Sequence, residues 1–579
     1  MSMTPGGPEF LDTSGPADAA PDNDNRKRLV VLGALGAGAL VVAGGAWAAT
    51  SFFATGAQPA EALPGSTIAY ASVDLDPSGG QKIEAIKTLR KFPGFTDQVD
   101  LKSDEDLRER LFEEITSSGG CEGLSYADDV KPWLGSRAAM AAVEIGEDQP
   151  APVAVVQVTD AGKAEEGVQK LIDTCGGGEG SDSDPGSDVG GWVVDGDWLV
   201  MAETKETAQK VVDDAGEGSL ADDDAFGKWT GEAGDDGFMQ FYVAKGAAQY
   251  LGDAAGMGSS LGGPLLGDLS GSSSSDMSGG FDQECLDAAT TAEELDACFT
   301  ESSDDSSDTG SEEVPPELQQ MIDDFDGMAA TVRFDDGSVE VEYAVSNYQP
   351  DMTKYLDSDE GVSLVDGLPD DTVAALGFSL EKGWAQAFVD YLKSTLPEDS
   401  SSIDDGIAQM ESETGLSFPE DLETLLGEGV TISVGSGIDP DAIANGGPGE
   451  LPVGITVKGD AGDIQAVLDK IKAQVPAEAA EFMEVTEGDG YAVIALKDDY
   501  RSALESGGDL GGSDDYSDVV DGDAQSVMFV NFDADDNWLA RMTEDMPEVS
   551  ENLEPLSSFG ISSWIDGDVV HGQLKLTTD

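Results

Sequence analysis

The sequence predicts an α+β protein in which an N-terminal transmembrane helix is followed by two homologous α+β halves. Each half is expected to hold a largely antiparallel sheet with its helices gathered on one face. Three observations predict this architecture: the order of strand and helix patterns, a set of segments that recurs in the same order, and a long uncharged segment near the N-terminus. With 579 residues, the chain is long enough for two or three domains with separate cores.

The duplication rests on six segments of the first half that are echoed in order by the second. The paired segments are 63–75 with 368–380, 124–135 with 416–427, 152–173 with 452–473, 191–212 with 489–504, 238–244 with 527–533, and 327–345 with 559–576. One such echo arises easily by chance, but six in the same order do not. We therefore predict repeats over 63–350 and 362–579, preceded by a disordered cytoplasmic tail over 1–28.

Within each half, the patterns follow the order βαββαβ. The β-branched run VAVVQV predicts a strand, and Asp160 is placed to cap the helix that follows it. WVVDGDWLVMA predicts a hairpin that turns at Asp195 and Gly196. This order is typical of a ferredoxin-like split βαβ unit, with additional strands and helices before and after it.

One short phrase recurs in similar form: LSYADDVKPWLG at 124–135 and LSFPEDLETLLG at 416–427. Ser125 with Asp128, and Ser417 with Glu420, have the spacing of a helix capping box. Apolar residues at i, i+4, i+7 and i+8 then predict one buried face of a short helix. The phrase is therefore expected to be structural and not a site.

The N-terminal region predicts membrane anchoring. Arg26, Lys27 and Arg28 precede a run without charge from Leu29 to Ala54, which is long enough to cross a hydrocarbon core of about 30 Å. The basic cluster places the N-terminus in the cytoplasm and the bulk of the chain outside the membrane. A cleaved signal peptide is the alternative, because residues 46–48 read Ala-Trp-Ala.

The charge of the chain restricts its partners. Asp and Glu number 117 against 29 Lys and Arg, which gives a formal net charge of -88. Such a chain repels the phosphates of nucleic acid. The acidity indicates solvation, with weak binding of divalent cations or of a basic partner as alternatives.

Residues 252–312 form an insert rich in Gly, Ser and Asp that cannot order itself around a core.

Four cysteines lie in the first half of the exterior part: Cys121, Cys175, Cys285 and Cys298. An even number in an exported chain predicts two disulfides, for which three pairings exist. We favour Cys121 with Cys175 and Cys285 with Cys298, because the second pair brackets one short insert. A zinc site of four cysteines is the alternative, although the usual C-x2-C spacing is absent.

The sequence offers no recognisable catalytic constellation and predicts no cofactor or metal site. The chain has one histidine, His571, which an alternating apolar pattern places as an exposed residue of the last strand. A carboxylate-dependent hydrolase would need two facing carboxyl groups, but so many Asp and Glu are present that no pair stands out. Trp133, Trp192, Trp198 and the other tryptophans in periodic segments are expected in the core, with a carbohydrate-stacking platform as the alternative.

The segments LPGSTIAYASVDLDPSGG, VKPWLGSRAAMAAVE, VTDAGKAEEGVQKLID and VDGDWLVMAET resemble the membrane-anchored bacterial family known as domain of unknown function 3352, which is common in high-GC Gram-positive bacteria. The resemblance covers about residues 60–579. It implies an extracytoplasmic, membrane-anchored protein, and it carries no catalytic residues with it.

Taken together, the sequence favours a non-enzymatic, single-pass protein of the cell envelope that binds a protein or cell-wall partner. Two alternatives remain open at this point. One is an extracytoplasmic hydrolase that uses carboxylates, and the other is an acidic protein that buffers cations.

Overall fold

A computed structural model describes most of the chain after residue 56. The described residues are 57–74, 80–94, 108–109, 112, 116, 123–146, 149–175, 190–235, 237–250, 322–335, 337–347, 350–395, 400–439, 447–472, 474–535, 538–539, 543 and 546–579. The predicted transmembrane segment at 29–54 and the insert at 252–312 lie outside this part. Within it, no helix is both long and apolar enough to cross a membrane.

In the described part of the chain, sixteen strands form one continuous antiparallel sheet, which confirms the predicted α+β class with a large antiparallel sheet. The strands are β1 (Thr67–Asp74), β2 (Leu134–Val143), β3 (Ala151–Val158), β4 (Gly191–Asp195), β5 (Trp198–Ala202), β6 (Met239–Ala244), β7 (Gly327–Asp335), β8 (Ser338–Ser346), β9 (Ala374–Ser379), β10 (Gly429–Val434), β11 (Val453–Val457), β12 (Thr486–Glu487), β13 (Ala492–Ala495), β14 (Ser526–Asn531), β15 (Leu556–Asp566) and β16 (Val569–Thr578). Their order is β12-β13-β11-β10-β9-β14-β15-β16-β8-β7-β6-β1-β2-β3-β5-β4.

The helices of the described residues connect these strands. They are α1 (Gly80–Leu89), α2 (Ala161–Cys175), α3 (Lys205–Glu217), α4 (Asp224–Glu232), α5 (Pro350–Thr353), α6 (Glu360–Asp366), α7 (Trp384–Thr395), α8 (Ser400–Thr414), α9 (Glu420–Leu426), α10 (Ala461–Lys472), α11 (Ala477–Ala480), α12 (Asp498–Ser506), α13 (Asp514–Ser517) and α14 (Pro547–Leu553). Asp160 accepts a hydrogen bond from the backbone N–H of Lys163 at 3.1 Å. The predicted cap at the start of α2 is therefore confirmed.

The strand order is the same when it is read outward from the middle in either direction. Outward from β8, the strands run β8, β7, β6, β1, β2, β3, β5 and β4; outward from β16, they run β16, β15, β14, β9, β10, β11, β13 and β12. Each strand is therefore matched by the one eight places later in the chain. β8 pairs with β16 along nine residues, from Ser346 opposite Val569 to Ser338 opposite Thr577.

Helices cover both faces of the sheet, so the expectation that they gather on one face is wrong. Successive residues of a strand point to opposite faces, and in β3 both are apolar. Val155 joins a core that includes Val211 of α3 and Trp229 of α4. Val156 packs on the other face against a cluster that includes Val168 of α2. A strand that is apolar on both sides needs cover on both sides.

The second half follows the same scheme. On the face that α3 and α4 cover in the first half, Val365 of α6 and Leu504 of α12 pack around the buried ring of Phe529. On the opposite face, Ile464 of α10 and Leu425 of α9 pack over β10 and β11. Buried clusters therefore lie on both faces of the sheet in each part of the chain, and Val569 of β16 joins the cluster around Trp229.

The ferredoxin-like unit is found in its chain order but not in its sheet order. β3, β4 and β5 are arranged as that unit requires, with β5 between two parallel strands, and the predicted β4–β5 hairpin turns at Gly196 with a φ of 56°. β6, however, pairs with β1 and β7 and does not lie beside β3. The reason is that β1 and β2 form their own antiparallel pair and occupy the place between β6 and β3.

Candidate functional site

A group of charged residues lies where the two halves meet, on the face of the sheet that also carries α4. Arg333 of β7 donates from one nitrogen to both Glu340 and Glu342 of β8. Gln573 of β16 donates to Glu340 at 3.1 Å, and the Lys575 amine lies 3.7 Å from the same carboxylate. We call these five residues the central polar cluster. They alternate along their strands, so all five side chains point to the same face.

The cluster is largely shielded from water and internally neutralised. The side chain of Glu340 is 5% exposed, and those of Arg333 and Glu342 are each 15% exposed. Burial alone would lower the pKa of Arg333, but its bonds to Glu342 and Glu340 outweigh burial and raise that pKa. Both carboxylates are therefore held as acceptors of one guanidinium. This is the arrangement of an ion-pair network that joins strands.

The corresponding positions of the second half hold a stacked aromatic pair. Trp564 and His571 lie opposite each other on β15 and β16, as Arg333 and Glu340 do on β7 and β8. The two rings stack with centroids 5.2 Å apart and an interplanar angle of 6°. His571 is only 7% exposed, so the expectation of an exposed strand histidine is corrected. The Trp564 ring covers one face of the imidazole.

A carboxylate from the first half approaches this histidine. Oε2 of Glu232, at the end of α4, lies 3.8 Å from Nε2 of His571. This contact links a helix of the first half to a strand of the second.

Trp564 is half-buried, whereas Trp133 and Trp198 are buried in the cores, as expected. Trp192 and Trp384 are half-buried.

Both copies of the repeated phrase are held by the same two contacts, which we call a brace: an aspartate accepts from a backbone N–H of its own phrase and from a lysine of a helix. Asp129 accepts from the backbone N–H of Ser125 at 3.0 Å and from the amine of Lys170 in α2 at 2.5 Å. In the second half, Asp421 accepts from the backbone N–H of Ser417 at 2.5 Å and from Lys470 in α10 at 2.6 Å. Each brace therefore ties the phrase to the helix that covers the same face of the sheet.

The predicted capping boxes are only partly right. The Ser125 hydroxyl accepts from the backbone of Asp128, as expected, but the backbone N–H of Ser125 donates to the carboxylate of Asp129 and not to that of Asp128. The first copy forms a five-residue turn of π-helix, Tyr126–Val130, and β2 begins at Leu134. In the second copy, α9 begins after Pro419 and has no side-chain cap. The lysine partners lie too far along the chain for the capping pattern to include them.

An apolar row is open to solvent on the other face of the sheet. Leu376 of β9 lies directly opposite Ile432 of β10 on one side and Met528 of β14 on the other. These side chains are 40%, 43% and 41% exposed. We call these three residues the open apolar row. All the exposed large apolar side chains of the described residues lie between Leu356 and Val549, and all but Leu356 belong to the predicted second repeat.

Two cavities among the described residues are small or shallow. One cavity of about 170 Å³ is lined by residues that include Glu360, Lys458, Asp489 and Tyr491. A second, open depression of about 470 Å³ is lined by residues that include Glu144 and Lys210. The first cavity is smaller than the roughly 300–1,000 Å³ typical of small-molecule sites, and both carry charge on their walls.

The predicted disulfide residues cannot be placed together. Cys121, Cys285 and Cys298 lie outside the described residues, and Cys175 ends α2 with a side chain that is also outside them. The two disulfides therefore stay predictions. Within the described ranges, no group of three or more His, Cys, Asp or Glu is placed to hold a metal ion.

The fold and these clusters define an α+β protein with a large antiparallel sheet. Residues 29–261 match the family model described as "Protein of unknown function (DUF3352)". The match starts at the first residue of the uncharged segment and ends shortly after β6. It confirms the family resemblance over that part of the chain. No curated protein and no solved structure matches the sequence.

Sequence reasoning missed the central polar cluster and the open apolar row. Arg333, Glu340 and Glu342 lie in a strand pattern that reads as an ordinary polar face. Their meeting with Gln573 and Lys575 depends on the pairing of β8 with β16, which no local pattern signals. Leu376, Ile432 and Met528 belong to normal apolar alternation. Only the packing of the helices decides which apolar positions stay uncovered.

Proposed function

We propose that this chain is a single-pass, membrane-anchored protein of the cell envelope that binds a partner and catalyses no reaction. The open apolar row carries the proposal. A chain with a net charge of -88 leaves three large apolar side chains in register on neighbouring strands, each about two-fifths exposed. Exposed apolar patches of this kind mark interaction surfaces. The uncharged run after the basic triplet supports the anchor.

The proposal includes two homologous repeats, over 63–350 and 362–579. The matching strand orders of β1–β8 and β9–β16 support it, and so do the equivalent braces at Asp129 and Asp421. The repeats would meet edge to edge, where β8 pairs with β16. In this arrangement the sheet is a wide platform held outside the membrane.

The carboxylate pair of the central polar cluster favours a binding role over hydrolysis. Glycosidases keep one carboxyl as an acid and leave the other free as a base or nucleophile. In the central polar cluster, Glu340 and Glu342 both accept hydrogen bonds from Arg333 instead. Neither group is placed to exchange a proton with a substrate while that network is intact.

Two experiments test the proposal. The full-length protein, carrying a C-terminal tag, is expressed in an actinobacterial host, and membranes are washed with alkaline carbonate and treated with protease from outside. Retention in the membrane with a protease-accessible C-terminus is expected. Release by the wash would contradict the anchor.

Affinity capture from envelope extracts tests the binding role. A specific partner is expected to co-purify with the wild type and to be reduced in the variant Met528→Gln. Met140→Gln is the matched control, because Met140 holds the position in β2 that Ile432 holds in β10 and lies on the same face. Repeated failure to enrich any partner over a capture control of similar charge would contradict the proposal.

A further inference from the structure

We propose that His571 and Glu232 form a proton-sensitive latch: protonation of His571 strengthens the attachment of α4, in the first half, to β16, in the second. The proposal goes beyond the binding function proposed above and does not depend on it. It starts from the one histidine of the chain, which lies where a helix of one half meets a strand of the other.

The imidazole of His571 is enclosed by its neighbours. The ring of Trp564 stacks on it from β15, and Ala344 lies directly opposite on β8. Its Nε2 lies 3.8 Å from Oε2 of Glu232, which is too long for a hydrogen bond. A neutral imidazole therefore gains little from Glu232, whereas an imidazolium is attracted to the carboxylate as a charge. The strength of this contact depends on the proton.

The surroundings of His571 act on its charged form in both directions. Histidine is the side chain that ordinarily changes its charge between about pH 5 and pH 8. Burial disfavours an imidazolium, while a carboxylate close by and the face of a tryptophan ring both favour one. Glu232 is 43% exposed, so water screens part of its attraction. The latch is therefore expected to be modest in strength and reversible.

Other charged groups lie on this face of the sheet or beside it. Three are cations: Lys228 of α4, Arg333 of β7 and Lys575 of β16. Six are carboxylates: Asp235, Asp326, Glu340, Glu342, Asp521 and Asp566. The ion pair of Lys228 with Asp326 and the bonds from Arg333 to both glutamates of β8 largely neutralise the cations. Among these described residues and Glu232, only Glu232 lies within 4.0 Å of an imidazole nitrogen, so it has the strongest influence on the proton.

The residues that follow Glu232 are fixed to the first half itself. Gly234 has a φ of 83°, and its backbone lies so close to Glu342 that a side chain at this position would collide with the carboxylate. Arg333 donates to the carbonyl of Asp235 at 3.1 Å. These two contacts reach β7 and β8, whereas the latch reaches β16. The latch therefore adds a charged link from this end of α4 to the second half.

The exposure of Glu232 sets the expected size of the effect. For an ion pair of this kind, we expect His571 to bind its proton about threefold more tightly with Glu232 present than without it. Because linkage is reciprocal, protonation should favour the closed contact by the same factor. The contribution is present while His571 is protonated, and it is lost as the pH rises and the proton leaves.

The first readout is the proton affinity of His571 in the full-length protein. The protein is held in zwitterionic detergent and purified through a tag without histidine, so that isotope-labelled histidine gives one imidazole signal in nuclear magnetic resonance. The signal is followed from about pH 8.5 to about pH 5. Glu232→Gln should lower the proton affinity about threefold. Glu217→Gln is the matched control and should leave it unchanged, because Glu217 is the exposed last residue of α3 as Glu232 is of α4.

The second readout is amide hydrogen exchange of residues 229–235, at the end of α4. It is expressed as protection relative to an unstructured peptide at the same pH, which removes the intrinsic pH dependence of exchange. In the wild type, protection should rise by up to about threefold as His571 takes up its proton. In His571→Gln, which has no group to protonate at this position, the rise should be absent.

Equal proton affinity in the wild type and in Glu232→Gln would overturn the proposal, because His571 would then not sense Glu232. An equal rise in protection in His571→Gln would overturn it as well, because another group would then be responsible. Circular dichroism checks that each variant is folded. Glu232→Gln changes only an exposed side chain, so the first readout decides the matter even if His571→Gln does not fold.

Discussion

Glu342 and Gln573 lie directly opposite each other at the centre of the β8–β16 ladder, with four register pairs on either side. Each is the fifth residue of its nine-residue paired stretch. The ladder therefore has the register of a two-fold symmetric interface, in which the same surface of each unit meets its counterpart. This observation supports the proposal that the chain is a fused pair of homologous repeats.

The first prediction concerns the central polar cluster. Arg333→Met removes the cation that Glu340 and Glu342 share, and leaves Glu340 with the Gln573 amide and the more distant Lys575 amine. We expect a loss of about 3 kcal/mol in the free energy of unfolding. Chemical denaturation measures it. The double variant Arg333→Met, Glu342→Leu should recover part of the loss, and the exposed pair variant Lys228→Met should change little.

The second prediction concerns the braces. Lys470→Met should lower the melting temperature, because Asp421 would keep its buried position without its cation partner. Lys170→Met should do the same in the first half, since Lys170 holds the equivalent place. Lys163→Met is the control, because its pair with Asp160 is exposed on both sides. Equal melting of all three variants and the wild type would show that the braces do not stabilise the fold.

The third prediction is the pH dependence that follows from Asp421. Burial alone would raise the pKa of Asp421, but the bonds from Lys470 and from the Ser417 backbone outweigh it and lower that pKa below the ordinary 3.8. A carboxyl with a lowered folded pKa stabilises the fold above its unfolded pKa, and this contribution is lost as the pH falls through the folded value. Between about pH 5 and pH 3, Lys470→Met should therefore lose less stability than the wild type. A steeper loss in the variant would contradict the brace.

The fourth prediction concerns the cysteines. Mass spectrometry of the non-reduced protein, purified from the envelope, should recover peptides that link Cys121 to Cys175 and Cys285 to Cys298. Oxidising compartments favour disulfides in exported chains. Free thiols at all four positions would contradict the predicted disulfides, and zinc bound to all four would support the alternative.

Short-range sequence patterns predict much of the local structure. The cap at Asp160, the hairpin at Gly196 and the matched positions of the two phrases are all short-range signals, and the structure confirms the cap and the hairpin. The sheet order was not accessible in this way. The ferredoxin-like arrangement failed because β1 and β2 insert between β6 and β3, and nothing near β6 signals this.

The candidate site was hidden for the same reason. Asp129 and Lys170 lie 41 residues apart, and Glu340 and Gln573 lie 233 apart. His571 was expected to be exposed because its strand alternates, but the stack with Trp564 buries it. Such contacts depend on register and on which helix lies over which strand. Neither the strand register nor the placement of the helices can be read from a single sequence.

The most direct test of the fused pair is amide hydrogen exchange across β8 and β16 in the full-length protein. If the halves join through this ladder, amides of 339–345 and 570–576 should exchange as slowly as those of the inner strands β1 and β9. Two separate domains would make β8 and β16 edge strands, which leave every second backbone group unpaired. Fast exchange in both segments, with β1 and β9 still protected, would contradict the account.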